Sequence, residues 1–339
     1  MTNFLYLINI QLFADMNTNV TGDSGLSVEN KTFYDMTLIE EASANLVHDQ
    51  FGQKRPIPAN GGKKIEFRKF SPLPKALDVI REGVTPDGKK LAVTAVEAEV
   101  EQYGDYIVQS DILELTALDN TIIEATKILG KQAGLTLDTI VRNQLLTGTN
   151  VSYCPKVSNG TETEVTSRTA LDKTAKLTVK EVQKTVAKLR AMNAPTINGD
   201  YVAIIHPYVA YDLMRDPEWI DAHKYAQPDN LYRGEIGKVA GVRFVQTSEA
   251  AILTGGDCPS NLAVFCTFFI AEGAYGVTEI QGGGLETIIK QKGSAGTADP
   301  LNQRSSIGWK AMKTAKILVE PYLVRVESCS EFSSGATAN

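Results

Sequence analysis

Three histidines, four cysteines and two tryptophans are all that 339 residues supply of the side chains most often used for chemistry. His48, His206 and His223 have neither i, i+4 nor His-x-His spacing, which argues against a metal site built from histidines. Cys154, Cys258, Cys266 and Cys329 contain no two-residue spacing of the zinc or redox kind. They are too sparse for a disulfide scaffold and read as reduced cytosolic thiols. There is no Gly-x-x-x-x-Gly-Lys-Ser/Thr phosphate loop and no Gly-x-Ser-x-Gly nucleophile elbow. Gly234, Gly237 and Gly241 precede a strand, whereas a dinucleotide fingerprint follows one and opens a helix, so they read as turn glycines. Basic charge is not in excess. Lys and Arg total 34 against 40 Asp and Glu, a net charge of -6, without the cationic face that displaces counterions from nucleic acid. Long hydrophobic runs are missing too. The apolar stretch Met1 to Ala14 has no basic n-region, is interrupted by Asn9 and Gln11, and is too short to span a bilayer. It reads as an adhesive arm that packs on something else.

What is present is an ordinary globular composition, 43% hydrophobic and 22% charged, over a length that suits two or three domains. A helix is expected from about Thr32 to Phe51, with Phe33, Met36, Ala42, Leu46, Val47 and Phe51 near one face. Lys63 to Phe70 and Leu91 to Val100 alternate apolar and polar residues. Turn chemistry at Gly83 and Pro86-Asp87-Gly88 joins them into a long hairpin over 61–101. Such an arm has too few apolar residues for a core of its own and needs a neighbouring surface. Tyr103 to Ser110 reads as a strand. A long helix over 119–146 carries the stripe Ile122, Thr126, Leu129, Ala133, Leu137 and Ile140, and Gly130 and Gly134 inside it suggest a bend or a close crossing. Residues 147–176 read as loop. Thr178 with Glu181 forms a capping-box pattern for a helix to Met192. Asp200 to Val245 holds a buried strand, a short amphipathic helix, a glycine-punctuated turn and a second strand, an α/β unit. Leu262 to Ala271 is a buried run, and Val277 to Ile289 is two strands around a glycine turn. Trp309 to Val326 is a long strand broken at Pro321, and the last dozen residues are expected to form a loose tail.

Each remaining hint of chemistry has a plainer structural reading. His206, at the end of a strand and before Pro207, reads as a satisfied structural histidine, and His48 as a solvated one. Asp216, Glu218 and Asp221 read as an acidic helix end rather than a metal or acid–base site. The lysine pairs Lys63-Lys64 and Lys89-Lys90, with Arg68-Lys69, make the hairpin locally basic. That suits salt bridges to an adjacent subunit, or protection of a strand edge, at least as well as phosphate contact.

The order of elements and six sequence blocks then carry a resemblance. The blocks are Ile10-Gln-Leu-Phe-Ala14, Glu99-Val-Glu-Gln-Tyr-Gly-Asp-Tyr106, Tyr201-Val-Ala-Ile-Ile-His-Pro207, Arg215-Asp-Pro-Glu-Trp219, Gly237-Lys-Val-Ala-Gly-Val-Arg-Phe244 and Asp299-Pro-Leu-Asn-Gln-Arg-Ser-Ser306. From about residue 8 to 328 the chain resembles the major capsid protein of tailed bacteriophages, whose fold was first seen in a Hong Kong coliphage. Within that group it resembles the family of an enterobacterial podovirus major capsid protein. The resemblance implies an α+β fold with an N-terminal arm (1–60), an extended hairpin loop (61–101), a peripheral domain (102–176 and 291–339) with its spine helix at 119–146, and an axial domain (177–290). It implies a self-assembling icosahedral shell of hexamers and pentamers in the virion, made in the host cytoplasm. That shell encloses double-stranded DNA without sequence-specific binding, with no enzyme activity, cofactor, metal or membrane. The implied partners are further copies, a portal, and separate scaffold and decoration proteins where these exist. Gly83, Gly88, Gly104, Gly130 and Gly134 are the expected assembly hinges. Leu12, Phe13, Arg68, Lys89 and Lys90 are the expected inter-subunit contacts. The alternatives are an encapsulin-like compartment shell, or an α/β enzyme working through His206 and Asp212.

Overall fold

The computed structural model describes residues 46–58, 60–70, 88–116, 121–224, 236–259, 262–281, 283–294 and 299–339, with isolated positions between 36 and 42 and between 73 and 83. After β1 (Gln53–Lys54) come β2 (Lys64–Phe70), β3 (Val93–Glu99), β4 (Glu101–Ser110), α1 (Asp111–Thr116) and the long α2 (Thr121–Leu146). Short strands β5 (Val151–Tyr153), β6 (Lys156–Ser158) and β7 (Thr161–Thr163) lead to α3 (Val179–Ala191). Then follow β8 (Tyr201–Ile205), α4 (Pro207–Met214), α5 (Pro217–Lys224), β9 (Lys238–Val239) and β10 (Val242–Gln246). The remaining strands are β11 (Ile252–Leu253), β12 (Val264–Ile270), β13 (Tyr275–Thr278), β14 (Glu286–Lys290), β15 (Arg304–Ile317) and β16 (Leu323–Ser328).

The larger sheet has seven strands in the order β5-β16-β12-β8-β10-β9, with β11 also paired to β12. Its middle strands, Tyr-Val-Ala-Ile-Ile in β8 and Val-Phe-Cys-Thr-Phe-Phe-Ile in β12, are buried along their whole length. Continuous apolar runs of this kind belong in a sheet covered on both faces. On one face Val182, Val186 and Leu189 of α3 pack with Ala203, Ile205, Phe265, Phe269 and Val324. On the other, Val141 and Leu145 at the end of α2 pack with Ile204, Phe268 and Ile270. Pro207 opens α4 at the first helical position, where its missing N–H costs nothing. β10 returns parallel to β8, Val242 opposite Tyr201 through Gln246 opposite Ile205, which is the expected βαβ unit.

The second sheet is built on β15, which pairs with β4, β13 and β14. Here the first half of α2 packs, Leu129, Ala133 and Leu137 against Ile307, Trp309 and Ala311. At 26 residues and 1.5 Å of rise each, α2 is about 39 Å long and ties the two sheets together. Thr178 caps α3 by accepting from Glu181 N, as the capping-box pattern indicates.

Four expectations need correcting. The strand expected from Trp309 to Val326 is two strands in different sheets, because the tight turn Glu320–Tyr322 around Pro321 turns the chain from β15 into β16. Residues 147–176 contain β5 and a small hairpin, β6 to β7, rather than loop alone. Asn159 (φ 50°) and Gly160 (φ 75°) make its turn, a pairing that suits two-residue hairpins. The helix expected to reach Phe51 gives way to a turn at His48–Gln50. The last dozen residues are not a loose tail. Ser328, Cys329, Ser330 and Ser333 are buried, and the Asn339 side chain bonds Ile252 N, Ser248 O and Ala250 O.

Candidate functional site

The hairpin β2–β3 pairs in continuous register from Lys64 opposite Glu99 to Phe70 opposite Val93. Its base belongs to the body: Phe67, Ala98 and Val100 are buried, and the Phe67 ring lies so close to Gly276 that a Cβ there would come within 2.7 Å of it. Its far end does not. Leu77 is 82% exposed, Val79 91% and Leu91 66%, an apolar set that no described residue of this chain covers. Lys89 and Lys90 are exposed beside it, and Arg68 Nη2 sits 3.3 Å from Glu66 Oε2 across the strand surface. Gly83 has φ 78° with open space around it, and Gly88 is likewise unobstructed. Leu12 and Phe13 lie outside the described residues.

The other three expected hinges sit at close crossings. A Cβ on Gly104 would lie 2.5 Å from Trp309 O, where β4 runs against β15. On α2, a Cβ at Gly130 would lie 2.9 Å from Leu38 O, and one at Gly134 2.5 Å from Ala42 O. These two glycines, one helical turn apart, let the backbone of residues 38–42 lie directly on the spine helix.

A second fastening follows immediately. Asp138, buried on α2, accepts from Val47 N at 2.9 Å, His48 N at 2.7 Å and His48 Nδ1 at 2.7 Å. Tyr275 O–H donates to His48 O, and burial pushes that phenol far above its usual pKa. His48 is therefore not solvated, as its polar sequence neighbours suggest; it is fully buried, because Asp138, ninety residues away, supplies its partner. Next to it Asp49 meets Lys313 Nζ at 2.6 Å and Lys54 Nζ at 3.2 Å. Burial works to raise the Asp49 pKa, but the two lysines outweigh it and hold the carboxyl below its usual value.

The residues of the enzyme alternative have structural partners. His206 is the N-cap of α4, its Nδ1 accepting from Tyr208 N at 3.1 Å, and burial lowers its pKa to about 4. It is a neutral capping group at ordinary pH. Asp212 binds Lys176 Nζ at 2.9 Å, Ser330 Oγ at 2.6 Å and Glu331 N at 3.1 Å. Asp216 accepts from Glu218 N and from Val179 N, holding the starts of α5 and α3 together. Among the described residues no group of three or more His, Cys, Asp or Glu could hold a metal ion, and no helix is long and apolar enough to cross a membrane.

Two buried carboxylates were invisible to motif reasoning. Asp138 has a signal in hindsight, since it falls four residues after Gly134 on the stripe that faces the core. Glu327 is fully buried in β16, held at 2.7 Å by both Arg168 Nε and Nη2. Its bond to Arg168 pushes the guanidinium pKa up and ties the 164–176 segment to the central sheet.

A family model described as phage capsid protein matches residues 110–277, from the end of β4 through β13. Solved capsid structures match over most of the chain. The capsid of cyanophage P-SCSP1u aligns at 14% identity and TM-score 0.60, over 83% of this chain and 87% of that one. The capsid of Ralstonia phage GP4 aligns at 11% and 0.62, over 84% and 88%. The capsid of Helicobacter pylori bacteriophage KHP30 aligns at 11% and 0.59, over 84% and 89%. No curated protein matches in sequence. By that family match and by its fold, the chain belongs with the capsid proteins of tailed bacteriophages.

Proposed function

We infer that this chain is a major head protein whose copies assemble into the icosahedral shell that encloses phage double-stranded DNA. The observation that carries the reading is the hairpin, anchored at its base and uncovered at its apolar tip. Burying Leu77, Val79 and Leu91 on a neighbour would contribute roughly 5–7 kcal/mol per hairpin before ordering costs. Repeated around a closed ring, such contacts stabilise an assembly that no isolated copy can form. Capsid structures with this fold agree with that role, and the compartment-shell alternative is not favoured by the phage capsid family match.

The finer reading rests on the sequence and on physical argument. Hexamers and pentamers need joints. Gly83 and Gly88 suit them, because each can rotate without meeting a neighbour. Gly104, Gly130 and Gly134 would act at the crossings they permit. The net charge of -6 keeps DNA from adhering to the wall. Portal, scaffold and decoration proteins would be the further partners, and the sequence blocks resemble those of the podovirus family.

The test replaces residues 73–91 by a short turn, which leaves both paired strands intact. The variant should be a folded monomer, while the full chain forms shells that sediment and are seen by electron microscopy. Normal shells from the shortened chain would end the proposal. Tight, salt-sensitive DNA binding by the free subunit would count against the container role.

A further inference from the structure

Residues 334–339 cross the surface between two fastenings. At one, Ala263 N donates to Ser333 O at 2.9 Å, and the Phe332 ring stacks on Tyr208 with centroids 4.6 Å apart. At the other, the Asn339 side chain is read at both of its polar atoms. Its Nδ2 donates to Ser248 O at 3.1 Å and Ala250 O at 3.0 Å, and its Oδ1 accepts from Ile252 N at 3.1 Å. Among side chains only a primary carboxamide offers two donors and an acceptor in that arrangement. The receiving groups are fixed in advance. β11 pairs with β12 through Cys266 N and Ala251 O, and the alternation of an antiparallel ladder then turns Ile252 N away from β12. Arg142 on α2, only 3% exposed, donates from Nη1 to Glu249 O and from Nη2 to Asn339 O, both at 3.0 Å. Between the two fastenings only Ala336 packs on the core; Ser334, Gly335, Thr337 and Ala338 are exposed. The segment borders a cavity of about 530 Å³, lined by Thr254, Cys258 and Leu262 on one side and by Ser333, Ser334 and Ala336 on the other.

We propose that residues 334–339 are a removable strap across this cavity, and that Ser248 O, Ala250 O, Ile252 N and Arg142 form a carboxamide-reading receptor that holds it shut. Two features set the strap apart from the body. It buries little apolar surface, so its release costs far less than opening the sheets beside it. Its hold is also concentrated in one side chain, Asn339, where a single substitution can release it. Arg142 extends the effect to the spine helix. A shift of α2 against the turn at 248–250 weakens the hold on Asn339, and release of the strap loosens α2 at that turn by the same free energy. The inference does not depend on the shell reading. Cys258, partly exposed in the cavity wall, is the natural reporter, because Cys154 and Cys266 are fully buried in the core and report only its unfolding.

The test is alkylation of the full-length chain by a bulky maleimide, read thiol by thiol by mass spectrometry. In wild type, Cys258 should react slowly, as the strap opens. Asn339→Ala removes three hydrogen bonds from the closed state and should speed the reaction of Cys258 about tenfold or more. Asn339→Asp keeps the shape but sets a carboxylate against two carbonyl oxygens, and should be at least as fast. Cys154 and Cys266 should stay unreactive throughout. Equal Cys258 rates in wild type and both variants overturn the strap. An Asp variant as slow as wild type overturns the reading of a carboxamide. Acceleration of Cys258 only in step with Cys154 and Cys266 shows that the segment opens with the core, and that overturns a strap that moves by itself.

Discussion

Removing the Asp138 carboxylate tests the fastening of the N-terminal segment to the spine helix. Asp138→Ala strands two backbone N–H groups, of Val47 and His48, and the Nδ1–H of a fully buried imidazole. Each buried donor left without a partner costs about 1–3 kcal/mol. Partial relaxation leaves an expected loss of about 3–6 kcal/mol, against the 5–15 kcal/mol that ordinarily holds a domain folded. Asp138→Asn separates the contributions. Its amide oxygen still accepts from both backbone groups through the position of Oδ1. Its NH₂, however, faces the imidazole N–H that Oδ2 now accepts. The ring can escape by moving its proton to Nε2, but that nitrogen has no partner in its buried position. One unsatisfied group in place of three predicts a loss of about 1–3 kcal/mol. Guanidinium unfolding of dissociated subunits, followed by tryptophan fluorescence, reads both, since Trp309 packs on α2 with Nε1 donating to Gln132 Oε1. An Asp138→Ala variant within about 0.5 kcal/mol of wild type, the range of indifferent surface changes, would refute the reasoning. So would an Asn variant as damaging as Ala.

Helix propensity alone makes Gly134→Ala stabilising by about 1 kcal/mol. With a Cβ 2.5 Å from Ala42 O, overpacking should reverse the sign to a net loss of about 1–3 kcal/mol. A raised melting temperature would contradict the close crossing. The low pKa of His206, about 4 against the usual 6.5, has a definite sign in stability. As pH falls below about 6.5 the unfolded chain takes up the proton first, so this contribution is full above that pH, declines towards pH 4 and has no further slope below it. His206→Asn keeps a capping acceptor and removes the titration, so the two stability curves should diverge over that window; parallel curves would discount the buried neutral cap. Thr178→Ala should cost about 1 kcal/mol through loss of the α3 cap, measured by the denaturant midpoint, and no change would mean that the cap is made by something else.

Periodicity and capping chemistry were legible where local sequence settles local structure. The spine helix, the β2–β3 hairpin, the Thr178 cap and the parallel β8–β10 pair all follow from patterns a few residues long. The failures share one cause: the deciding partner is far away in sequence. His48 looks solvated beside Asp49 and Gln50 until Asp138 reaches it. The segment after residue 328 looks like a tail because Ser330 and Ser333 carry no apolar signal, yet Ser330 is held by Asp212 and Tyr208 of α4, and Ser333 by Ser330 and Ala263. β6 and β7 hold a single apolar residue, Val157, and show no alternation, so only the Asn159-Gly160 pair announced them. Pro321 marks a break in a strand correctly, but nothing local says that the chain resumes in another sheet. The open hairpin tip belongs to a further category, because no described residue of the chain covers it. Sequence shows its apolar and charged composition, and only the packed structure shows that it remains uncovered.

The position of β16 carries a consequence for how such a subunit is made. This strand, residues 323–328, lies between β5 and β12 in the seven-stranded sheet. Until the ribosome has released those residues, β5 has no neighbour and β12 lacks one side, so the sheet stays split. The sticky hairpin, translated more than two hundred residues earlier, emerges long before the body that should carry it is complete. Pairing across such sequence distance is slow. Newborn chains therefore pass through an interval in which the hairpin has emerged while the seven-stranded sheet still lacks the strand that joins β5 to β12.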